Sequence, residues 1–226
     1  MIKLIASDMD GTLLDENGKL PKDFFQVIDS MKSKNILFAA ASGRQYYTLA
    51  RDFHSIKSDM IFIAENGTFV IHEDKELFSC SIEPELVKEL IEFGRQLKDV
   101  QLVLCGKKSA YIENSTPDFV KEVDKYYARN TFVEDLTSVD DDILKFTIYD
   151  YKNPETNSNK LLYPVFKDRL KLTISGEHWL DITNSEANKG TAIKYIQEKL
   201  NISPKQTMAF GDCFNDVEML QNAYHS

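Results

Sequence analysis

Residues 3–12 read Lys-Leu-Ile-Ala-Ser-Asp-Met-Asp-Gly-Thr, and this stretch decides the fold. The run from Lys3 to Ser7 is apolar in character and ends abruptly at Asp8. A short apolar run of this kind, closed by a polar turn, is typical of a buried strand. We therefore expect Asp8 at the carboxyl end of the first strand.

The same pattern returns twice in the first part of the chain. Ile36–Ala41 ends at Ser42, and Met60–Ala64 ends just before Asn66, with helix-patterned segments between the runs. This β-α-β-α-β order predicts a doubly wound α/β fold, a parallel sheet covered on both faces. Ligands of such sheets bind beyond the carboxyl ends of the strands. Asp8, Ser42 and Asn66 each lie at such an end.

From about Ser79 to Thr183 the pattern changes to that of an α+β module with a mainly antiparallel sheet. After it the βα pattern resumes, with a helix from about Gly190 and a strand over Thr207–Phe210. The sequence therefore predicts a catalytic core formed by residues 1–78 and 184–226 and an inserted cap domain formed by residues 79–183.

Composition excludes several classes of protein. Hydrophobic residues make up 42% of the chain and charged residues 28%, the balance of an ordinary globular protein. The net charge of -9 disfavours nucleic-acid binding, and no run approaches the length of a membrane span. The scattered cysteines Cys80, Cys105 and Cys213 fit reduced thiols rather than a disulfide framework or a zinc site. With no signal-peptide pattern at the start, we expect a cytoplasmic protein.

Two close pairs of carboxylates stand at predicted strand ends. Asp8 and Asp10 follow the first strand, and Asp212 and Asp216 follow the last. Taken alone, an Asp-x-Asp-Gly segment is at least as often a solvated acidic turn as a functional site. A Gly-Asp-x-x-x-Asp segment taken alone can simply cap a helix. An EF-hand loop is excluded because its sixth position, here Leu13, must be glycine. Two pairs in one sheet indicate an oxygen-liganded cation, and Mg²⁺ is favoured because no Cys or His set is present.

Polar residues near these carboxylates suit a phosphoryl group. Thr12 offers a hydroxyl in the first turn, and Ser42 offers another at the second strand end. Lys189 begins the helix where the sheet pattern returns, and a fixed cation there would balance charge and hold a transferring phosphoryl group. Taken singly, Lys189 would be read as an exposed lysine and Ser42 as part of a turn.

In this order along the chain, the motifs resemble those of the haloacid dehalogenase superfamily. They are Asp8-Met9-Asp10-Gly11-Thr12, Ser42-Gly43-Arg44, Lys189 and Gly211-Asp212-Cys213-Phe214-Asn215-Asp216. The insert before Lys189, together with Glu65-Asn66-Gly67, resembles the Cof-like sugar-phosphatase subfamily. The second aspartate, Asp10, points to phosphoryl transfer rather than dehalogenation.

The resemblance implies a magnesium-dependent phosphatase of small phosphorylated metabolites. Asp8 would be the nucleophile that forms an aspartyl phosphate, and Asp10 the general acid and base. Mg²⁺ would be held by Asp8, the Asp10 carbonyl and Asp212, with Asp216 in support. The residues implied in phosphoryl binding are Thr12, Ser42, Gly43, Arg44, Lys189 and Asn215.

Two other functions use similar residues. A phosphomutase would share the Asp8 chemistry, but mutases of this superfamily usually carry a cap between the first two motifs, where Leu13–Ala41 leaves room for one helix. A non-catalytic phosphate or metal sensor would not need Asp10. The chain stops at Ser226, where the superfamily usually continues with another strand, so we expect the core sheet to be short at that end.

Overall fold

The computed structural model describes every residue from Met1 to Ser226. The chain divides into two compact units. The first unit is Met1–Ser79 with Glu186–Ser226, and the second is Cys80–Ser185. The second unit begins at Cys80, one residue later than the start of the predicted insert of residues 79–183. It ends at Ser185, two residues later than the end of that insert.

Twelve strands and seven helices make up the two units. The strands are β1 (Leu4–Asp8), β2 (Leu37–Ala41), β3 (Met60–Ala64), β4 (Phe69–His72), β5 (Lys75–Ser79), β6 (Val100–Gly106), β7 (Ala110–Ile112), β8 (Asn130–Phe132), β9 (Ile143–Asp150), β10 (Leu170–Ile174), β11 (Trp179–Asn184) and β12 (Thr207–Phe210). The helices are α1 (Phe24–Ser33), α2 (Tyr46–Asp52), α3 (Pro84–Gly94), α4 (Pro117–Tyr126), α5 (Ser158–Phe166), α6 (Lys189–Leu200) and α7 (Val217–Gln221).

The first unit is built on a six-stranded sheet in the order β12-β1-β2-β3-β4-β5. The strands from β12 to β3 are parallel, and β4 and β5 add an antiparallel hairpin at one edge. This parallel arrangement and its helices confirm the predicted α/β class. The four parallel strands therefore end at one edge of the sheet.

Helices cover both faces of this sheet because its central strands are apolar on both sides. On one face, Ile61 and Ile63 of β3 pack with Ile193 and Ile196 of α6. On the other face, the Phe62 ring lies 6.2 Å from the Phe53 ring that follows α2. The alternation of side chains along β3 thus buries the strand between two helical layers.

The second unit contains a separate six-stranded sheet in the order β10-β11-β9-β6-β7-β8. All its neighbouring strands pair antiparallel except β7 and β8. One face packs against α3 and α5, with Leu90 and Phe166 against Phe146. The other face packs against Phe119 and Val123 of α4. The unit therefore has an apolar core of its own.

Sequence patterning missed the hairpin formed by β4 and β5. Residues 69–79 were not assigned to strands because the second half of the hairpin, Lys75–Ser79, is short and carries exposed charges. β5 pairs with β4, which in turn pairs with β3, and the tendency of a segment to form a strand depends strongly on such neighbours. None of the helices has both the length and the apolar character that crossing a membrane requires.

Candidate active site

The carboxyl ends of the parallel strands bring the predicted motifs together. Asp8 ends β1, Ser42 follows β2, Asn66 follows β3 and Asp212 lies beyond β12. Parallel pairing places these ends along one edge, because each strand runs in the same direction as its neighbour. The α/β topology thus assembles side chains that are far apart in sequence.

Lys189 lies at the centre of the charged cluster. Its side chain is fully buried, and its Nζ donates to Asp8 Oδ1 and, at 2.6 Å, to Asp216 Oδ1. Burying one ammonium group would be costly, but two carboxylates supply the compensating charge and hydrogen bonds. The single ammonium group therefore faces two carboxyl groups.

The start of α6 is held in place by a close approach of backbone to backbone. Gly67 has a φ of +96°, and a Cβ there would lie 2.3 Å from the carbonyl oxygen of Asn188. The Asn188 side chain caps α6 by accepting from the Thr191 N–H at 2.8 Å. Gly67 therefore lets the turn after β3 pack directly against the residue that precedes Lys189.

The environment of Asp8 disfavours its charged form. Burial raises the pKa of the Asp8 carboxyl above its ordinary value, the Lys189 ammonium opposes this rise, and the Asp216 carboxylate adds to it. Asp8 therefore depends on nearby positive charge to stay ionised.

Asp212 lies against the turn that follows Asp8. Thr12 Oγ1 donates to Asp212 Oδ1 at 3.0 Å. Gly11 has a φ of +85°, and a Cβ there would lie 2.5 Å from Asp212 Oδ2. The glycine thus makes room for the Asp212 carboxylate. The Thr12 hydroxyl therefore helps to orient the Asp212 carboxylate. The contact of Thr12 with a phosphoryl group stays a prediction.

Oxygen atoms from three aspartates form a group suited to a hard cation. Asp8, Asp212 and Asp216 each offer a carboxylate oxygen, and these oxygens lie within 4.8 Å of one another. This oxygen-only set and the space left by Gly11 fit Mg²⁺. Asp216 is the member most engaged with the protein, because its Oδ1 binds Lys189 and its Oδ2 accepts from the Cys213 N–H at 3.1 Å.

Arg44 binds Asp10 side-on. Its Nη2 donates to Asp10 Oδ1 at 2.6 Å and its Nε to Asp10 Oδ2 at 3.2 Å. The third nitrogen, Nη1, donates to Asp52 Oδ2 at 3.3 Å. The guanidinium group thus bridges two carboxylates, and sequence patterning gave no indication of Asp52.

The remaining predicted residues line the ends of β2, β3 and β12. Ser42 is buried, and its Oγ accepts from the Arg44 N–H at 3.2 Å. A Cβ on Gly43 would lie 3.1 Å from the Asn66 amide, which accepts from Asn215 Nδ2 at 3.2 Å. Asn66 was placed at a strand end by its sequence but given no role. Its φ of +57° fits the Asn-Gly signal of a left-handed turn.

Trp179 and Asp181 both lie on β11 in the second unit. Asp181 forms an ion pair with Lys145 at 3.3 Å and accepts from the Thr147 hydroxyl at 2.9 Å. The Trp179 ring lies 4.9 Å from the Tyr149 ring. These contacts account for both residues as parts of the sheet and its packing.

The chain is similar to known phosphatases over almost its whole length. A family model of haloacid dehalogenase-like hydrolases matches residues 5–226. The chain is 31% identical to the 5-amino-6-(5-phospho-D-ribitylamino)uracil phosphatase YbjI of Escherichia coli (strain K12), over 98% of this chain and 83% of that protein. It is 24% identical to the HMP-PP phosphatase of Escherichia coli O6:H1, over 97% of this chain and 81% of that protein.

The chain is also similar to a solved structure. SMU.1108c from Streptococcus mutans UA159 superimposes with a TM-score of 0.85 at 27% identity, covering 100% of this chain and 86% of that one. The match includes both units of the present structure.

Proposed function

Because the chain belongs to the haloacid dehalogenase-like hydrolases, we propose that this phosphomonoester hydrolase works through a phospho-aspartate on Asp8 with Mg²⁺ as cofactor. Membership confirms the family that the four motifs predicted. Two relatives are named as phosphatases of a phosphorylated ribitylaminouracil and of HMP-PP. The substrates we propose are therefore small phosphorylated metabolites, including sugar phosphates and similar compounds.

The observation that carries the proposal is the contact of buried Lys189 with both Asp8 and Asp216. The ammonium group offsets the burial that raises the pKa of Asp8, so it favours the ionised nucleophile. An Asp8 oxygen attacks phosphorus in line with the leaving oxygen, the bond to that oxygen breaks, and an aspartyl phosphate forms. Lys189 then also faces the transferred phosphoryl group and balances its charge.

Asp10 moves the protons of both steps. It gives a proton to the departing oxygen of the substrate, then takes one from the water that attacks the aspartyl phosphate. Inorganic phosphate leaves, and Asp8 returns as a carboxylate. The Asp10 side chain is 63% exposed, so it has access to both the leaving group and the water.

Asp8, the Asp10 carbonyl and Asp212 would hold Mg²⁺, which supplies positive charge that stabilises the phosphoryl oxygens during transfer. Asp216 supports this site by orienting Lys189 and the Cys213 backbone. Ser42, Gly43, Lys189 and Asn215 are the groups we assign to phosphoryl binding, with Thr12 and Arg44 beside them. We also propose that the protein works in the cytoplasm, where the thiols of its three cysteines would stay reduced.

Release of inorganic phosphate from a panel of phosphorylated metabolites tests the proposal. We expect turnover with Mg²⁺, none in excess chelator, and none for Asp8→Asn, which lacks the nucleophile. Asp10→Asn should keep phosphate binding but slow turnover by about 100-fold or more, the usual contribution of a general acid and base. Near-normal turnover by Asp8→Asn would refute the phospho-aspartate mechanism.

The same assay separates the alternatives. A phosphomutase would return the phosphoryl group to the sugar, so product analysis would find an isomeric sugar phosphate without stoichiometric phosphate release. A sensor would bind phosphate or metal without turnover of any substrate in the panel.

A further inference from the structure

An ion-pair chain leads from α2 to the proposed general acid and base. Arg51 Nε and Nη2 each donate to Asp52 Oδ1 at 3.3 Å, Arg44 Nη1 donates to Asp52 Oδ2 at 3.3 Å, and Arg44 binds Asp10 through its other edge. The charges alternate along the chain of four residues. Asp10 is the proposed general acid and base and Arg44 lies beside the proposed phosphoryl site, whereas Arg51 and Asp52 have no role in the proposed reaction.

The position of Asp52 is not explained by the stability of its helix. Asp52 is the last residue of α2, where the helix dipole disfavours a carboxylate. Its side chain is 31% exposed. The hydrogen bonds that Asp52 accepts from Arg44 and Arg51 therefore offer a better explanation for a carboxylate at this position.

The guanidinium group of Arg44 can hold Asp10 in one orientation only if its own plane is fixed. Arginine is planar, and its donors point in fixed directions. Nη1 on Asp52 leaves the Nε–Nη2 edge directed at Asp10. The Asp10 side chain is 63% exposed, so packing restrains its rotamer little, and the turn beside it contains Gly11. The Arg44 fork is thus the main restraint on the Asp10 carboxylate that the structure shows.

We propose that Asp52 is a positioning residue that acts through Arg44 to hold Asp10 in place for proton transfer. The inference rests on the proposed function, since it assumes that Asp10 acts on the leaving group. A small displacement of a catalytic carboxylate lowers the rate far more than it lowers substrate affinity. Loss of Asp52 should therefore slow chemistry and leave substrate binding almost unchanged.

The choice of substrate isolates this effect. An alkyl phosphate such as ribitol 5-phosphate needs its leaving oxygen protonated, whereas p-nitrophenyl phosphate releases a stable phenolate without help from an acid. Asp52→Asn should lower kcat/KM for ribitol 5-phosphate by roughly 5- to 10-fold, but that for p-nitrophenyl phosphate by no more than about 2-fold. General weakening of the fold would affect both esters alike.

The chain offers a matched control. Asp59 forms an ion pair with Lys32 at 2.6 Å, and its side chain is 31% exposed, as is that of Asp52. Exposed pairs of this kind often contribute nothing measurable. Asp59→Asn should therefore leave both kcat/KM values within about 2-fold of the wild type.

A double-mutant cycle shows whether Asp52 acts through Arg44. In an Arg44→Ala background, Asp52→Asn should have no further effect on the ratio of the two kcat/KM values, because the side chain through which Asp52 acts on Asp10 is absent. An equal loss in both backgrounds, or equal losses for the two esters, would overturn the proposal.

A second measurement does not depend on turnover. In nitrogen-15 NMR spectra of the full chain, Asp52→Asn should accelerate exchange of the Arg44 Nε–H with water several-fold, and Asp59→Asn should not. If no ester releases phosphate, the proposed function fails, but this measurement still reports whether Asp52 restrains the Arg44 guanidinium group. An unchanged Nε–H exchange rate in Asp52→Asn would show that Asp52 does not restrain Arg44, and would overturn the proposal.

Discussion

At the scale of single residues, Lys189 belongs both to the buried charge cluster and to the proposed catalytic site. Its ammonium group compensates the Asp8 and Asp216 carboxylates, which would otherwise be buried with like charge. We therefore expect the residue proposed to favour the ionised nucleophile also to stabilise the first unit. Removal of one partner from a buried charge cluster costs much more than loss of a surface pair.

We expect Lys189→Met to lower the free energy of unfolding by about 3–5 kcal/mol at neutral pH, because two carboxylates remain buried without a cation. Burial already raises the pKa of Asp8, and loss of the ammonium group raises it further. A carboxyl group whose folded pKa is raised destabilises the fold when ionised, so the deficit should shrink as the pH falls and Asp8 is protonated.

Urea unfolding at several pH values measures this dependence. Lys194→Met is the control, since Lys194 is an exposed lysine on the same helix. A deficit for Lys189→Met that matches the control, or that grows on acidification, would contradict the assignment of Lys189 as the compensating charge.

At the scale of elements, Asp150 organises the connection from β9 to α5. Its Oδ1 accepts from the Lys152 N–H at 2.9 Å and from Asn157 Nδ2 at 3.1 Å, and its Oδ2 accepts from the Ser158 N–H at 3.1 Å. Burial by itself would raise the pKa of Asp150, but these hydrogen bonds together hold that pKa below its usual value. The carboxylate thus fixes a loop that its sequence marks only as polar.

We expect Asp150→Asn to lower the free energy of unfolding of the second unit by about 1–3 kcal/mol at neutral pH, since one acceptor oxygen and the charge are lost. The folded pKa of Asp150 is lowered, so its contribution is complete above the ordinary value of 3.8 and is lost as the pH falls below that value. Chemical unfolding followed by circular dichroism should show the difference between variant and wild type shrinking at acid pH. A constant difference across that range would contradict the role of the charge.

At the scale of the whole molecule, the two units have separate cores, and the chain passes between them at residues 79–80 and 185–186. We propose that the second unit is a cap that sets substrate preference, while the first carries the phosphoryl chemistry. An aspartyl phosphate must be shielded from stray nucleophiles yet release its product, which favours a movable cover.

Exchange of Cys80–Ser185 for the corresponding segment of a relative with other preferences tests this division. We expect the chimera to keep Mg²⁺-dependent phosphate release and to adopt the substrate profile of the donor. Asp8→Asn in the chimera is the control for background activity. A folded, active chimera with the original profile would show that specificity lies in the first unit.

Sequence alone was sufficient for the fold class and for the positions of the motifs. Met60–Ala64 and Thr207–Phe210 were predicted as strands with the bounds that the structure has, because short apolar runs closed by Gly, Asn or Asp leave few alternatives. The strand ends then followed from the parallel topology. Residues such as Asp8 and Asp212 could therefore be placed at one edge before any contact was known.

Only the tertiary structure decided which of these residues touch. Thr12 and Asp212 are 200 residues apart in sequence, and Lys189 is 181 residues from Asp8, so no local pattern encodes either contact. Asp52 has no sequence signal, since the role we propose for it depends on the direction of one planar Arg44 side chain. Local sequence determines where a strand ends, because burial and turn chemistry act over a few residues. Charge pairing across the sheet depends on packing of the entire unit.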